Sequence, residues 1–173
     1  PNEVLVKIAG AGVCHSDLSV INGSRARPLP IVLGHEGSGE IVEIGSAITD
    51  LKEGDHTVFQ FSAACGRCVR CLEGRPQNCF TAATQGGKGE LLGGGSRIRD
   101  ADGNTIGHHS GISCMAEYAV MDRGSIIVVD KSVPLADAAL FGCAVMTSAG
   151  AVINTARVRT GDKVAVLGLG GVG

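Results

Sequence analysis

The sequence is poor in aromatic residues and has no excess of charge of one sign. It contains no tryptophan, aromatic residues make up 3% of its 173 positions, and the formal net charge is −2. The scarcity of aromatics argues against an aromatic-rich binding surface. A chain without a basic stripe also gives no electrostatic reason to bind nucleic acid or an anionic membrane. We therefore expect neither of those partners and favour a small-molecule ligand.

Long apolar runs are also missing. No stretch reaches the roughly 20 apolar residues that a membrane-spanning helix needs. The first residues, Pro1-Asn2-Glu3, lack the charged-then-apolar layout of a secretory signal peptide. We therefore expect a cytoplasmic protein. Because the chain starts at Pro1 and stops inside a glycine motif, we also expect it to be a fragment.

Glycine, in contrast, is abundant, with 27 residues, and it divides the first 130 or so residues into short segments. Between these breaks, apolar and polar residues alternate as in half-buried strands. The predicted strands are residues 3–9, 39–45, 57–61, 116–121 and 126–129. Residues 65–79 and 84–109 show no usable periodicity and are predicted to be irregular. This pattern predicts a small domain that is mostly β and barrel-like.

The composition changes after Pro134. Residues 135–156 are rich in alanine, leucine and valine without proline, which predicts two consecutive helices. Residues 163–167 (K-V-A-V-L) then predict a short buried strand that leads into the glycine turn 168–173 (G-L-G-G-V-G). A strand followed by such a turn is typical of the start of a dinucleotide-binding fold.

Four of the seven cysteines lie within fifteen residues. Their spacing is Cys65-x-x-Cys68-x-x-Cys71-x(7)-Cys79. Zinc takes four tetrahedral ligands, and C-x-x-C turns bring two thiolates to one ion, so the pattern predicts a closed structural zinc site. Disulfides and an iron–sulfur cluster are the alternatives, but disulfides are rare in the cytoplasm and the cluster spacings differ.

Two other cysteines and one histidine each lie beside a glycine break. Cys14 follows Gly12, His35 follows Gly34, and Cys143 follows Gly142. Two thiolates and one imidazole would leave a zinc ion with an open fourth position for catalysis. These residues are far apart in sequence, so buried thiols and a hydrogen-bonded core histidine remain an equally good interpretation of the residues alone.

Taken together, the motifs of this chain resemble the zinc-dependent medium-chain alcohol dehydrogenases, and the resemblance covers essentially the whole chain. Several independent motifs in the family's order make it specific, whereas G-x-G-x-x-G alone would be weak. They are G-V-C-H-S-D at 12–17, G-H-E at 34–36, the four-cysteine loop, G-C-A-V-M-T-S-A-G at 142–150 and the final glycine turn.

The resemblance implies a role for each candidate site residue. Cys14, His35 and Cys143 would bind a catalytic zinc, with Ser16, Asp17 and Glu36 as catalytic residues: Ser16 in proton transfer, Asp17 orienting His35, and Glu36 behind the metal. Phe61 would line the substrate pocket. Many family members have a proton-relay histidine where this chain has Ser19. The residues expected to contact the cofactor are His15, Thr147, Gly168, Gly170, Gly171, Val172 and Gly173.

The resemblance also implies the domain plan and the activity. Residues 1–143 would form a GroES-like, partly open barrel with a zinc lobe at 62–83, and residues 144–173 would hold a connecting helix and the first strand of a Rossmann domain. The expected activity is interconversion of an alcohol and an aldehyde or ketone, with two zinc ions per chain and NAD, or alternatively NADP. We expect a homo-oligomer. The alternatives are a thiol-adduct or polyol dehydrogenase on the same scaffold, and a non-catalytic zinc-binding scaffold.

Overall fold

The computed structural model describes all 173 residues, and its main feature is a five-stranded antiparallel sheet. The strand order across this sheet is β7-β1-β3-β4-β8. Its strands are β1 (Glu3–Gly12), β3 (Glu36–Ile44), β4 (His56–Phe59), β7 (Tyr118–Asp122) and β8 (Ile126–Val128). The mostly β architecture predicted from the alternating segments is confirmed.

The core lies on one face of this sheet. In β1, Val4 and Val6 are buried while Leu5 and Lys7 are not, which is the period-two pattern of a strand with one covered face. Ile41 and Phe59 from neighbouring strands pack into the same apolar cluster. The sequence alternation therefore identified the buried face.

The pairing of β1 with β3 brings distant residues together. β3 runs antiparallel to β1, so that Gly12, near the end of β1, lies opposite Glu36, at the start of β3. The chain segments that contain Cys14 and His35 consequently meet at one end of the sheet.

A smaller sheet has the order β2-β6-β5 and contains β2 (Ile31–Val32), β5 (Ile98–Arg99) and β6 (Thr105–His108). β2 is parallel to β6, with Val32 opposite His108. This pairing holds the segment after β6 against the segment that leads into His35. Residues 84–109 were predicted to be irregular throughout, and the short strands β5 and β6 correct that prediction. Two-residue pairings leave too little alternation in a sequence to be recognised.

Short helices connect the strands. They are α1 (His15–Ile21), α2 (Val69–Leu72), α3 (Phe80–Gly87), α4 (Leu135–Ala138) and α5 (Ala144–Gly150), with 3-10 turns at Pro76–Asn78, Arg123–Ser125 and Ala139–Gly142 and a π-helical turn at Ala151–Thr155. The segment after Pro134 is divided at Cys143 into two helical stretches, as predicted. α1, α2 and α3 were not predicted, because four to eight residues give too few turns for an apolar period to emerge.

The predicted strand at residues 163–167 is wrong. This segment has no regular secondary structure, and the side chain of Leu167 is 94% exposed. A buried parallel strand needs neighbouring strands for its hydrogen bonds and helices for its faces. No other segment of the 173 residues pairs with it.

None of the single helices has both the length and the apolar character to cross a membrane. The two helical stretches Leu135–Gly142 and Ala144–Thr155 reach that length and composition only as a pair, and the pair is bent by 49°.

Candidate metal centres

Cys14, His35 and Cys143 converge at one end of the main sheet. Their candidate ligand atoms all lie within 4.8 Å of one another, although the residues are separated by up to 129 positions in sequence (143 − 14). Cys14 precedes α1, His35 precedes β3, and Cys143 separates the 3-10 turn at Ala139–Gly142 from α5. Two sulfurs and one imidazole nitrogen at this separation form an incomplete tetrahedral set for a metal such as zinc.

Two glycines allow the backbone to present these ligands. Gly34 has a φ of +95°, a conformation that L side chains rarely adopt, and a Cβ there would lie 2.7 Å from the backbone nitrogen of Met115. Gly142 packs directly against the carbonyl oxygen of Phe59, which leaves no space for a side chain. The glycine breaks noted in the sequence are therefore positions where the chain turns or approaches another strand closely before a ligand.

The electrostatics of the site call for a cation. Burial, the neighbouring Cys14 thiol and the Glu36 carboxylate together raise the pKa of Cys143 to about 12. Without a positive charge, a second thiolate would be repelled by the negative groups around it. A divalent cation reverses this balance and deprotonates coordinating thiols. The donor set therefore fits zinc.

Asp17 lies behind His35, where it contacts backbone and side chain. It is 1% exposed, and its Oδ1 lies 3.3 Å from Nδ1 of His35. The same oxygen accepts a hydrogen bond from the backbone N–H of Gly34 at 3.2 Å, and Oδ2 accepts one from that of Cys14 at 3.0 Å. This carboxylate thus ties together the two chain segments that carry Cys14 and His35, and it leaves Nε2 of His35 for the metal.

Glu36 approaches the site from the opposite side. Its side chain is buried, and Oε1 accepts a hydrogen bond from the backbone N–H of Ala144 at 2.8 Å. A carboxylate at the first N–H of a helix is favoured by the unpaired N–H groups there. Glu36 therefore fixes the chain directly after Cys143, and no contact of Glu36 with substrate is needed for this effect.

Ser16 and Phe61 both contact residues of the three-ligand cluster. The Ser16 hydroxyl donates to Sγ of Cys14 at 3.2 Å and lies 3.3 Å from Nε2 of His35. The Phe61 ring packs edge-on against the His35 ring at a centroid distance of 5.8 Å, and it remains partly exposed. An incoming substrate would meet a hydroxyl and an apolar ring beside the metal ligands.

The four-cysteine lobe forms a second cluster. The sulfurs of Cys65, Cys68, Cys71 and Cys79 all lie within 4.8 Å of one another. The closest pairs, Cys68 to Cys71 at 3.5 Å and Cys68 to Cys79 at 3.9 Å, are much farther apart than the roughly 2.05 Å of a disulfide. All seven cysteines of the chain are free. Four sulfurs without an open corner fit a structural zinc ion.

The lobe thiols have different proton affinities. A hydrogen bond with Thr81 is the main reason why the pKa of Cys65 falls to about 6, whereas burial raises the pKa of Cys71 to about 11. Cys79 is buried, and its sulfur accepts a hydrogen bond from the backbone N–H of Ala82 in the first turn of α3. N–H groups aimed at sulfur stabilise thiolates, which is the form that binds metal.

The candidate cofactor residues are mostly exposed. His15 and Thr147 are solvent-exposed, and the segment from Gly168 to Gly173 has no regular structure. Val172 is held near α5, because its carbonyl accepts a hydrogen bond from Ser148 at 2.9 Å. Without a strand leading into it, the glycine segment does not by itself form a dinucleotide cradle within these 173 residues.

One residue beside Cys14, His35 and Cys143 could not be identified from the sequence. His109 follows β6, is 1% exposed, and places Nδ1 3.0 Å from Oδ1 of Asp17. Its neighbour His108 is also a histidine, so the sequence alone does not distinguish the two. Only the pairing of β2 with β6 distinguishes which of the two faces the metal ligands.

These features match a known family. The alcohol dehydrogenase GroES-like domain matches residues 1–131, which is most of the chain, and the chain belongs to this family.

Two individual proteins are similar to this chain in sequence. The chain is 41% identical to the S-(hydroxymethyl)glutathione dehydrogenase of Synechocystis sp. over 99% of its own length and 46% of the relative, and 40% identical to that of Saccharomyces cerevisiae over 99% and 45%. It therefore spans less than half the length of these curated relatives.

Solved structures show the same similarity. The alcohol dehydrogenase zinc-binding domain protein from Burkholderia ambifaria superimposes with a TM-score of 0.85 at 38% identity, covering 92% of this chain and 43% of the other. The benzyl alcohol dehydrogenase from Acinetobacter calcoaceticus superimposes with a TM-score of 0.76 at 37% identity, covering 89% and 41%. The GroES-like fold expected from the sequence motifs is confirmed.

Proposed function

We propose that this chain supplies the metal centre of a zinc-dependent oxidoreductase that interconverts an alcohol and an aldehyde or ketone. The convergence of Cys14, His35 and Cys143 within 4.8 Å carries the proposal. A purely structural protein has no need of a three-ligand site with an open side, whereas catalysis at a metal does. Membership of the alcohol dehydrogenase family supports the same reaction class.

Two zinc ions per chain are part of the proposal. Cys14, His35 and Cys143 would hold the catalytic ion, and the four lobe cysteines would hold a structural one. The catalytic ion would supply Lewis acidity to a substrate oxygen on the side where Ser16 and Phe61 lie.

Ser16 is placed to handle the substrate proton. Its Oγ lies beside two of the three ligands, so a substrate oxygen near them comes within reach of the hydroxyl. A serine hydroxyl both donates and accepts, and it can hold a proton while passing another one on. Phe61 packs edge-on against the His35 ring and would present an apolar surface to the substrate.

Ser19 does not continue a proton relay in this structure. Its hydroxyl donates to the carbonyl oxygen of His15, one turn earlier in α1, at 3.1 Å. A hydroxyl occupied with its own helix backbone is a common arrangement for serine. The proton held at Ser16 would therefore leave through water instead of through the side chain of Ser19.

A nicotinamide cofactor, NAD or NADP, completes the proposed reaction as the hydride acceptor. The motif at residues 168–173, and Thr147 and His15 near the open side, are the contacts we propose for it. We further propose that residues 1–143 form the catalytic domain, with the zinc lobe at 62–83, and that residues 144–173 begin the cofactor-binding domain. A homo-oligomer and a cytoplasmic location are also part of this proposal.

A pair of cysteine variants of the complete protein tests the proposal. Cys143→Ser should lower the zinc content from about two ions per chain to about one and abolish alcohol oxidation, because one of three ligands is removed. Cys114→Ser is the control, since Cys114 is a free, buried cysteine that belongs to neither cluster. Elemental analysis of both variants measures the result. Equal zinc loss in both, or none in either, would contradict the assignment.

A thiol-adduct substrate is a second candidate, favoured by a cavity beside the site. This cavity, about 450 Å³ in volume, is lined by Phe61 and by Arg25 and Arg27, neither of which forms an ion pair within the chain. Burial and the adjacent Arg25 lower the pKa of Arg27. Glu90 and Asp122 also line this cavity.

Two guanidinium groups without an ion-pair partner favour an anionic substrate such as a thiol adduct that carries carboxylates. In the complete protein, Arg25→Gln/Arg27→Gln should raise the KM for S-(hydroxymethyl)glutathione at least about tenfold, through loss of charge-assisted hydrogen bonds. The KM for an uncharged primary alcohol should stay the same. A KM that rises equally for both substrates would argue against this second candidate.

A further inference from the structure

Asp17 has one more partner than the orientation of His35 requires. Its Oδ1 faces the Gly34 N–H at 3.2 Å, the His35 Nδ1 at 3.3 Å and the His109 Nδ1 at 3.0 Å. The third contact is the shortest. His109 Nδ1 approaches this oxygen closely without hydrogen-bond alignment, so it adds a polar contact to the two hydrogen bonds from Gly34 and His35, and every group in this cluster is buried.

The backbone of His109 is itself held by two acceptors. Its N–H donates to the carbonyl of Val32 at 3.2 Å and to the hydroxyl of Ser113 at 2.9 Å. Ser113 in turn donates to the same Val32 carbonyl at 2.8 Å. The segment that carries His109 is thus tied to the strand that leads into Gly34 and His35.

The ring of His109 has no other polar partner. Its Nε2 is buried without a hydrogen bond, and the ring packs edge-on against that of His35 at a centroid distance of 5.1 Å. Nδ1 likewise has no aligned hydrogen-bond partner, although Oδ1 of Asp17 lies 3.0 Å from it. Burying a polar ring costs free energy unless the ring contacts a polar partner. The contact with Asp17 therefore explains why a histidine occupies this position.

We infer that His109 is a positioning residue for the metal site. It holds the Asp17 carboxylate from the side opposite His35, and Asp17 in turn fixes the His35 ring so that Nε2 faces the sulfurs of Cys14 and Cys143. This inference rests on the proposed function, because it assumes that a metal binds to these three ligands.

The neighbouring residue supplies an internal comparison. His108 is also fully buried, but its Nε2 accepts a hydrogen bond from the backbone N–H of Arg97 at 3.2 Å. It therefore serves the smaller sheet and not the metal ligands. A change at His108 reports what the loss of a buried histidine does in general.

The test uses amide replacements that copy one ring nitrogen each. In His109→Asn the amide nitrogen takes the position of Nδ1 and keeps the contact with Asp17. In His109→Gln the amide lies near the position of Nε2, and the contact is lost. His108→Gln keeps the acceptor for Arg97 and is the matched control. All variants are polar and similar in size, which limits misfolding.

Cobalt(II) titration of the complete protein gives a readout that does not depend on turnover. The difference spectrum between each variant and the same variant carrying Cys143→Ser isolates the three-ligand site from the four-cysteine lobe. Removal of a residue that orients a metal ligand typically lowers the metal affinity about 10- to 100-fold. His109→Gln should therefore weaken cobalt binding about 10- to 100-fold and shift the d–d bands.

The other variants should behave differently. His109→Asn should bind cobalt within about threefold of the wild type, and His108→Gln should match the wild type, because both keep the Asp17 contacts. Wild-type affinity and bands in His109→Gln would overturn the inference, and so would equal weakening in the Asn and Gln variants. If the wild-type protein itself shows no cobalt–thiolate absorption dependent on Cys143, the proposed function fails instead.

Discussion

Replacing Asp17 by asparagine tests how the metal ligands are held. The substitution keeps the size of the side chain but removes its charge and one of its two acceptors. In the wild type, Oδ2 accepts from the Cys14 N–H at 3.0 Å, while Oδ1 serves Gly34 and His35. An asparagine that keeps its oxygen at the Oδ1 position turns its NH₂ group toward the Cys14 N–H.

The expected loss of stability follows from these contacts. A buried N–H that loses its acceptor costs about 1–3 kcal/mol, and the hydrogen bonds that remain lose their charge assistance, which is about 1 kcal/mol more. We therefore expect Asp17→Asn to lower the free energy of unfolding by about 2–4 kcal/mol. Metal affinity at the three-ligand site should fall about 10- to 100-fold, because the His35 ring is no longer oriented.

Urea denaturation followed by circular dichroism measures the first effect, and competition with a chelator measures the second. Asp50→Asn is the control, since Asp50 pairs with Arg123 at the surface and touches neither cluster. It should leave the urea midpoint and the metal affinity unchanged. Wild-type stability and metal affinity in Asp17→Asn would refute the argument that this carboxylate organises the site.

Three further predictions follow from the same structure. Gly34→Ala should destabilise the protein by at least about 1–3 kcal/mol in urea denaturation because of its φ of +95° and the nearby Met115 nitrogen, whereas Gly103→Ala, at a φ of +83° in open space, should cost less. Burial lowers the pKa of His108 from 6.5 to about 4, so the unfolded chain binds this proton first and stability should be lost as the pH falls through that window. The loss should reach at most about 2 kcal/mol near pH 5, and His108→Gln should remove it, whereas a urea midpoint with the same pH dependence in the variant would contradict this cause. Cys68→Ser should release the lobe zinc and leave the Cys143-dependent zinc in place by elemental analysis, and loss of both ions would show that the two sites are not independent.

Much of the fold could be predicted from the sequence where the signal is local and repeated. The strands predicted at residues 3–9 and 39–45 overlap β1 and β3. The alternation is clear in β1, whereas the first four residues of β3 are all buried and show none. The lobe cysteines are close in sequence, and their spacing alone predicted one cluster. The same reasoning failed for residues 163–167, since a buried strand depends on neighbours that no sequence window contains.

The three-ligand site could be predicted only by resemblance. Nothing in the spacing of Cys14, His35 and Cys143 indicates that they meet, and the pairing of β1 with β3 and the turn at Gly142 are what bring them together. The contact of His109 with Asp17 depends on a two-residue parallel pairing between β2 and β6. Such a short pairing has no recognisable pattern in the sequence.

Anomalous diffraction from crystals of the zinc-loaded complete protein, measured on both sides of the zinc absorption edge, tests the central claim most directly. We expect two anomalous peaks per chain, one enclosed by the four lobe cysteines and one bound by Cys14, His35 and Cys143 with a coordination position open toward Ser16. A single peak in the lobe, with the other three side chains bound to no metal, would contradict the proposed function.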